Sequence, residues 1–122
     1  MKPKALIIDD DEDLSTLMAK MLRDEGFETF CTMEGKSGIA KAHDWKPDIA
    51  IVDLLMPGLH GFTVCERLRA DDTLQGMRIL VASSKVYDND KADALKVGAD
   101  DYLVKPFRRQ QLIDKVRALV PE

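Results

Sequence analysis

No apolar run in this chain approaches the roughly 20 residues needed to cross a bilayer, and the N-terminus lacks a long apolar segment of the signal-peptide kind. The expectation is a cytoplasmic protein with no membrane partner. Basic residues lack clustering. The 18 Lys and Arg are scattered among 22 Asp and Glu, for a formal charge of −4. Binding a nucleic-acid backbone needs a clustered basic face, so no direct nucleic-acid contact is expected. Cysteine and histidine are scarce, with only Cys31, Cys65, His43 and His60 present, none with a partner at metal-ligand spacing. The thiols are expected to be buried and reduced, and the imidazoles to lie on the surface. No internal repeat, low-complexity tract or linker interrupts the chain. At 122 residues and 45% apolar content, it is expected to form one domain, residues 1–122, with a sizeable core.

Strand and helix signals alternate from end to end. Ala5-Leu6-Ile7-Ile8 reads as a strand, followed by a helix capped by Asp11 or Asp13 with Leu14, Leu17, Met18, Met21 and Leu22 at helical spacing. Gly26 stops that helix. Phe27 to Cys31 reads as a second strand, and Gly35 to His43 as a helix ending before Trp45 and Pro47. Ile49 to Val52 leads into the loop Met56-Pro57-Gly58-Leu59-His60-Gly61, then a helix carrying Phe62, Cys65, Leu68 and Arg69. Asp71, Asp72 and Gly76 lie in the next connection. Ile79 to Ala82 is the fourth strand, about Asn89 to Val97 a helix closed by Gly98, and Asp101 to Val104 the fifth strand. Leu112, Ile113, Val116, Leu119 and Val120 mark a last helix. Five such units predict an α/β fold, a parallel sheet covered by helices on both faces.

Each short apolar run reads as a strand buried on both faces, and each is followed by a polar residue: Asp9 and Asp10, Asp53, Ser83, Lys105. In open α/β sheets that carboxyl edge is where ligands bind. Three carboxylates gathered there repel by about 3 kcal/mol per pair at 5 Å and an effective dielectric near 20. With Lys105 alone opposing them, the site keeps about two net negative charges, which a doubly charged hard cation would neutralise. Oxygen ligands with partial hydration match Mg²⁺. Such a cation would draw a phosphate donor toward Asp53, a carboxylate nucleophile, while Lys105 neutralises another oxygen.

Ile7-Ile8-Asp9-Asp10, Asp53-Leu54-Leu55-Met56-Pro57-Gly58 with Gly61, Ser83-Ser84, and Gly98 through Phe107 together resemble the receiver domain of two-component response regulators, the CheY-like family. The resemblance covers essentially the whole chain. It implies a flavodoxin-like three-layer α/β/α sandwich with a five-stranded parallel sheet in the order 2-1-3-4-5. It also implies that Asp53 accepts a phosphoryl group from the phosphohistidine of a sensor histidine kinase or phosphotransfer protein. Asp10, Asp53 and the backbone carbonyl of Leu55 would then bind Mg²⁺ directly, and Asp9 mainly through water. Ser83 and Lys105 would contact the phosphoryl group, the Lys105–Pro106 bond would be cis, and Tyr102 would be the switch aromatic. The fourth helix, fifth strand and fifth helix would form the surface that changes partners, a downstream effector or output domain among them. The first helix and adjacent loops would dock the kinase. Such a module is a phosphoacceptor that catalyses its own modification and slow dephosphorylation, and no enzyme in the ordinary sense.

The chain departs from the pattern in places. His60 stands where many receivers have Asp, and Gln111 where many DNA-binding regulators have an acidic residue. Asp100, Asp101 and Lys115 do resemble the charges those regulators use, leaving a phosphorylation-dependent homodimer open. Leu55 and Lys85, each two residues beyond a site residue, would influence acyl-phosphate lifetime. Two other classes compete. A receiver-shaped scaffold that no longer uses phosphate would be expected to lack a member of the site, and none is missing. A flavodoxin-like electron carrier would need amides and hydroxyls after the first strand for the flavin phosphate, and Asp9 to Asp13 would repel it. An aspartate-based phosphatase using Asp9 and Asp11 would leave the Asp53 motif unexplained. Two outputs are expected: that of a regulator acting by docking, or that of a longer kinase, transcription factor or cyclase of which this is the receiver portion.

Overall fold

The computed structural model describes residues 2–84 and 88–121, so Lys85 lies outside the described residues. Strands β1 (Lys4–Ile8), β2 (Glu28–Thr32), β3 (Ile49–Val52), β4 (Arg78–Ser83) and β5 (Asp101–Val104) alternate with helices α1 (Glu12–Asp24), α2 (Gly35–Trp45), α3 (Gly61–Ala70), α4 (Asp88–Lys96) and α5 (Arg109–Leu119). All strand pairs are parallel and the order is β2-β1-β3-β4-β5. This is the flavodoxin-like α/β/α sandwich expected of the sequence.

Alternation along the central strands divides the core into two layers. Leu6, Ile8, Ala50, Val52, Ile79 and Val81 pack with Ala42 of α2, Val64 and Leu68 of α3 and Ala94 of α4. Ala5, Ile7, Ile49, Ile51, Leu80 and Leu103 pack with Met18 and Leu22 of α1 and Leu112 and Val116 of α5. Leu22 is completely buried, so trimming it to Ala would cost about 2–5 kcal/mol. Asp11 caps α1 by accepting the Leu14 amide at 3.0 Å, and Gly26, at φ +94°, turns the chain out of it.

Two expectations need correction, and one connection gains detail. Helix α2 does not stop at His43 but continues through Trp45, because Lys46 takes the left-handed conformation (φ 54°) and returns its amide to the Ala42 carbonyl, ending the helix as a glycine would. The connection after α3 contains a 3₁₀ turn, Asp72–Leu74, capped by the Asp71 carboxylate. Cys65 is buried as expected, but Cys31 is exposed, because β2 is an edge strand with incomplete helical cover.

Candidate functional site

The backbone brings the site together before any side chain does. Where β1 ends, the Asp9 amide donates to the Thr32 carbonyl at 3.1 Å, and the Asp53 amide donates to Ile8 at 2.9 Å. The Lys105 amide donates to the Ser83 carbonyl at 2.9 Å, which ties the end of β5 to the end of β4. The sheet therefore continues one residue past its strands, and those extra residues are the polar ones. The Lys105–Pro106 bond is cis, as the resemblance implied.

Carboxylate oxygens of Asp9, Asp10 and Asp53 all lie within 4.8 Å of one another. Asp9 and Asp53 are buried, while Asp10 is accessible to solvent. Asp9 is held on one oxygen by the Asp11 amide at 2.9 Å and on the other by Lys105 Nζ at 2.7 Å. Lys105 Nζ is also 3.5 Å from Asp53 Oδ1. Burial pushes the Asp53 carboxyl above its ordinary range, and the charges of Asp9 and Asp10 add to that, against Lys105 and a hydrogen bond from the Leu55 backbone. Three hard oxygen donors with no thiolate or imidazole among them suit Mg²⁺ or a similar hard cation. Among the described residues this is the one such grouping of acidic, His and Cys side chains.

The other expected residues are placed by their own strands and loops. Ser83 is fully buried at the end of β4. Tyr102 stands opposite Val81 in register and is buried in the layer of α2, α3 and α4. Leu55 presents an exposed side chain beside Asp53. Neither histidine joins the site. His60 Nδ1 caps α3 by accepting the Phe62 amide at 3.0 Å, and His43 Nδ1 pairs with Asp71 at 2.7 Å.

Two supporting residues escaped the sequence reading. Ser15 is buried on α1 and donates its hydroxyl to the Asp9 carbonyl at 3.3 Å. Thr32, whose carbonyl receives Asp9, has a buried hydroxyl oxygen without a hydrogen-bond partner among the described residues. The four-residue step from Asp11 to Ser15 hints at the first. The second carries no signal, because Thr is ordinary in a strand.

The match to known proteins follows this geometry. Residues 5–117 fit the family model described as the response regulator receiver domain. The chain belongs to that family. The receiver is 36% identical to the DNA-binding response regulator MtrA of Mycolicibacterium paratuberculosis over 97% of this chain and 51% of that protein. It is 38% identical to the DNA-binding dual master transcriptional regulator RpaA of Synechocystis, over 97% of this chain and 49% of that one. It thus spans about half the length of these curated relatives. Among solved structures, it superposes on the chemotaxis protein CheY4 of Vibrio cholerae with TM-score 0.93 at 27% identity, covering 98% of this chain and 99% of that one. The BeF3-activated receiver domain of Klebsiella pneumoniae RstA gives 0.89 at 25%, with 98% and 99% covered. No helix among the described residues is long and apolar enough to cross a membrane.

Proposed function

We propose that this receiver accepts a phosphoryl group on Asp53 from the phosphohistidine of a sensor histidine kinase or a phosphotransfer protein. The observation that carries the reading is the packing of Asp9, Asp10 and Asp53 within 4.8 Å, with Lys105 as their counter-charge. An Asp53 oxygen would attack the donor phosphorus as the P–N bond breaks, leaving an acyl phosphate on Asp53 and returning the imidazole to its donor. Asp10, Asp53 and the Leu55 carbonyl would hold Mg²⁺, with Asp9 beside them. When bound, the cation offsets the carboxylate charge and attracts the donor's phosphate oxygens. Lys105 would turn from Asp9 to one phosphoryl oxygen and the Ser83 hydroxyl to another, with Tyr102 following. The chain then acts as phosphoacceptor and as catalyst of its own modification and slow dephosphorylation, with no separate turnover reaction.

The new contacts would shift the population of two packings of the surface formed by α4, β5 and α5, and so its partners. MtrA and RpaA are DNA-binding regulators about twice as long. The expectation of no nucleic-acid partner is therefore confined to the receiver's own surface, and DNA contact in a longer protein would belong to an output domain. A homodimer through α4, β5 and α5 would have to exchange existing bonds, since Lys115 already pairs with Asp101 at 3.0 Å and Arg69 with Asp100 at 2.6 Å. The proposed setting is cytoplasmic.

The test is intact-protein mass after incubation with acetyl phosphate, with and without Mg²⁺, beside Asp53→Asn. A single Mg²⁺-dependent phosphoryl adduct absent from the variant is expected. An adduct that survives the substitution would overturn Asp53 as acceptor, and no adduct in the unmodified protein would overturn the reading.

A further inference from the structure

Helix α3 touches the acceptor at one end and the α4–β5 corner at the other. At its start, the Gly61 amide donates to the Leu54 carbonyl at 3.0 Å. A methyl group on Gly61 would lie 2.4 Å from the Asp53 carbonyl oxygen and 2.6 Å from Leu54 Cα, so the helix rests directly on the acceptor's backbone with no slack. His60 fixes this first turn through its cap on the Phe62 amide. Val64, Cys65 and Leu68, all fully buried, then lock the helix against the sheet.

At its far end, about 12 Å along the helix axis from Gly61, Arg69 spreads its guanidinium over three partners. Nε donates to the Gly98 carbonyl at 2.8 Å, Nη1 to the Met77 carbonyl, and Nη2 to the Asp100 carboxylate at 2.6 Å. Asp100 also accepts the Ile79 amide at 2.7 Å. Gly98, at φ +106°, packs so closely that a methyl there would lie 2.3 Å from Arg69 Cγ. The same corner closes α4, through the Gly98 amide on Leu95 and the Ala99 amide on Ala94, and it begins β5, which carries Tyr102 and leads to Lys105.

We infer that α3, gripped by Arg69, is a mechanical link from Asp53 to the α4–β5 corner that runs apart from Ser83 and Tyr102. The inference rests on the phosphoacceptor reading. A displacement of the Asp53–Leu55 backbone is transmitted to Gly61, because there is no gap to absorb it. The helix moves as a body, because its buried face admits few arrangements. Arg69 passes the displacement to Gly98 and Asp100, where one planar fork holds the end of α4 and the start of β5 together. Arg69 is thus a positioning residue.

The experiment is amide NMR of the whole chain titrated with beryllofluoride and Mg²⁺. It compares the unmodified protein with Arg69→Met, which keeps the aliphatic stem, and with Arg69→Lys, which keeps the charge but cannot bridge Gly98 and Asp100 with one planar fork and tests the link should Arg69→Met fail to fold. In the unmodified protein, the amides around Leu54 and Gly61 and those of Gly98 to Asp100 are expected to shift together. In the variants, the first group should saturate as before while the second loses at least half of its shift. A purely structural arginine would change the denaturation midpoint but leave that response intact, and such a result overturns the inference alone. Absence of shifts near Asp53 in the unmodified protein would overturn the phosphoacceptor reading and the inference with it.

Discussion

Lys105 Nζ sits 2.7 Å from Asp9 and 3.5 Å from Asp53, so the ammonium is committed to the carboxylate that would not receive the phosphoryl group. Its side chain is 15% exposed and that of Asp9 only 2%. A cation entering the acidic cluster meets this ammonium as a competitor. Lys105→Met should therefore bind Mg²⁺ more tightly, on the order of tenfold by calorimetric titration, equivalent to about 1.4 kcal/mol. The same variant should lose about 3 kcal/mol of metal-free stability, because a buried carboxylate has lost its counter-charge. Unchanged Mg²⁺ affinity would show that the pairing does not oppose the metal.

Asp53 carries an opposite lesson about charge. Its pKa is raised, chiefly by burial and then by the Asp9 charge. The folded state therefore holds this proton more tightly than the unfolded state does, and the stabilising contribution is present below the ordinary carboxylate pKa and lost as pH rises through the folded one. At neutral pH the ionised group opposes folding. Asp53→Asn should raise the metal-free thermal midpoint at pH 7, and the gain should shrink as pH is lowered toward 4. Added Mg²⁺ should stabilise the unmodified protein more than the variant, by mass action on a ligand set that is one charge richer. A lower midpoint for the variant at pH 7 would contradict the raised pKa.

The strands and the polar residues at their ends were legible because a buried parallel strand is a short continuous apolar run, and a break in such a run is conspicuous. Asp9, Asp53, Ser83 and Lys105 all lie at such breaks. The strand order came from the family resemblance, since periodicity carries no information about which strands are neighbours. The misreadings arose where tertiary context outweighs local pattern. Cys31 belongs to an apolar-looking segment, and only its place on the edge strand exposes it. Lys46 ends α2 in a conformation usually left to glycine, which hid the last turn of that helix. Arg69 looked like one more helical position, because its three partners lie at residues 77, 98 and 100.

Gly61→Ala should damage the site without touching a functional side chain. The added methyl would meet backbone, the Asp53 carbonyl oxygen at 2.4 Å, and backbone has no rotamer with which to yield. A loss of about 2–3 kcal/mol in urea denaturation is expected, typical of overpacking against a rigid neighbour. Because the methyl presses on the backbone of the proposed acceptor, the yield of acetyl phosphate adduct should also fall. Full yield with normal stability would mean that the Asp53–Leu54 segment is compliant.

The two thiols should separate cleanly in alkylation. Burial pushes the Cys65 thiol up to about 12, and the side chain is wholly inaccessible. Cys31 is exposed, although burial of its sulfur also raises its pKa and its thiol donates to the Ser15 carbonyl at 3.6 Å. Native protein at pH 8 should therefore lose one thiol to iodoacetamide, slowly, at Cys31, with Cys65 labelled only after denaturation. Peptide mass mapping distinguishes the two, and prompt labelling of Cys65 would mean that α3 opens readily from the sheet.

Thr32 offers the cleanest stability test, because its hydroxyl oxygen is buried next to the acidic site without a hydrogen-bond partner among the described residues. An unpaired buried polar group costs about 1–3 kcal/mol, and valine matches the shape and β-branching of threonine while removing it. Thr32→Val should therefore stabilise the metal-free protein by about 1 kcal/mol in urea denaturation. The Asp9 amide donates to the Thr32 main-chain carbonyl, which the substitution leaves in place, so Mg²⁺ affinity should not change. Destabilisation would mean that the hydroxyl is satisfied by an internal water, and a weakened Mg²⁺ affinity would tie that water to the metal site.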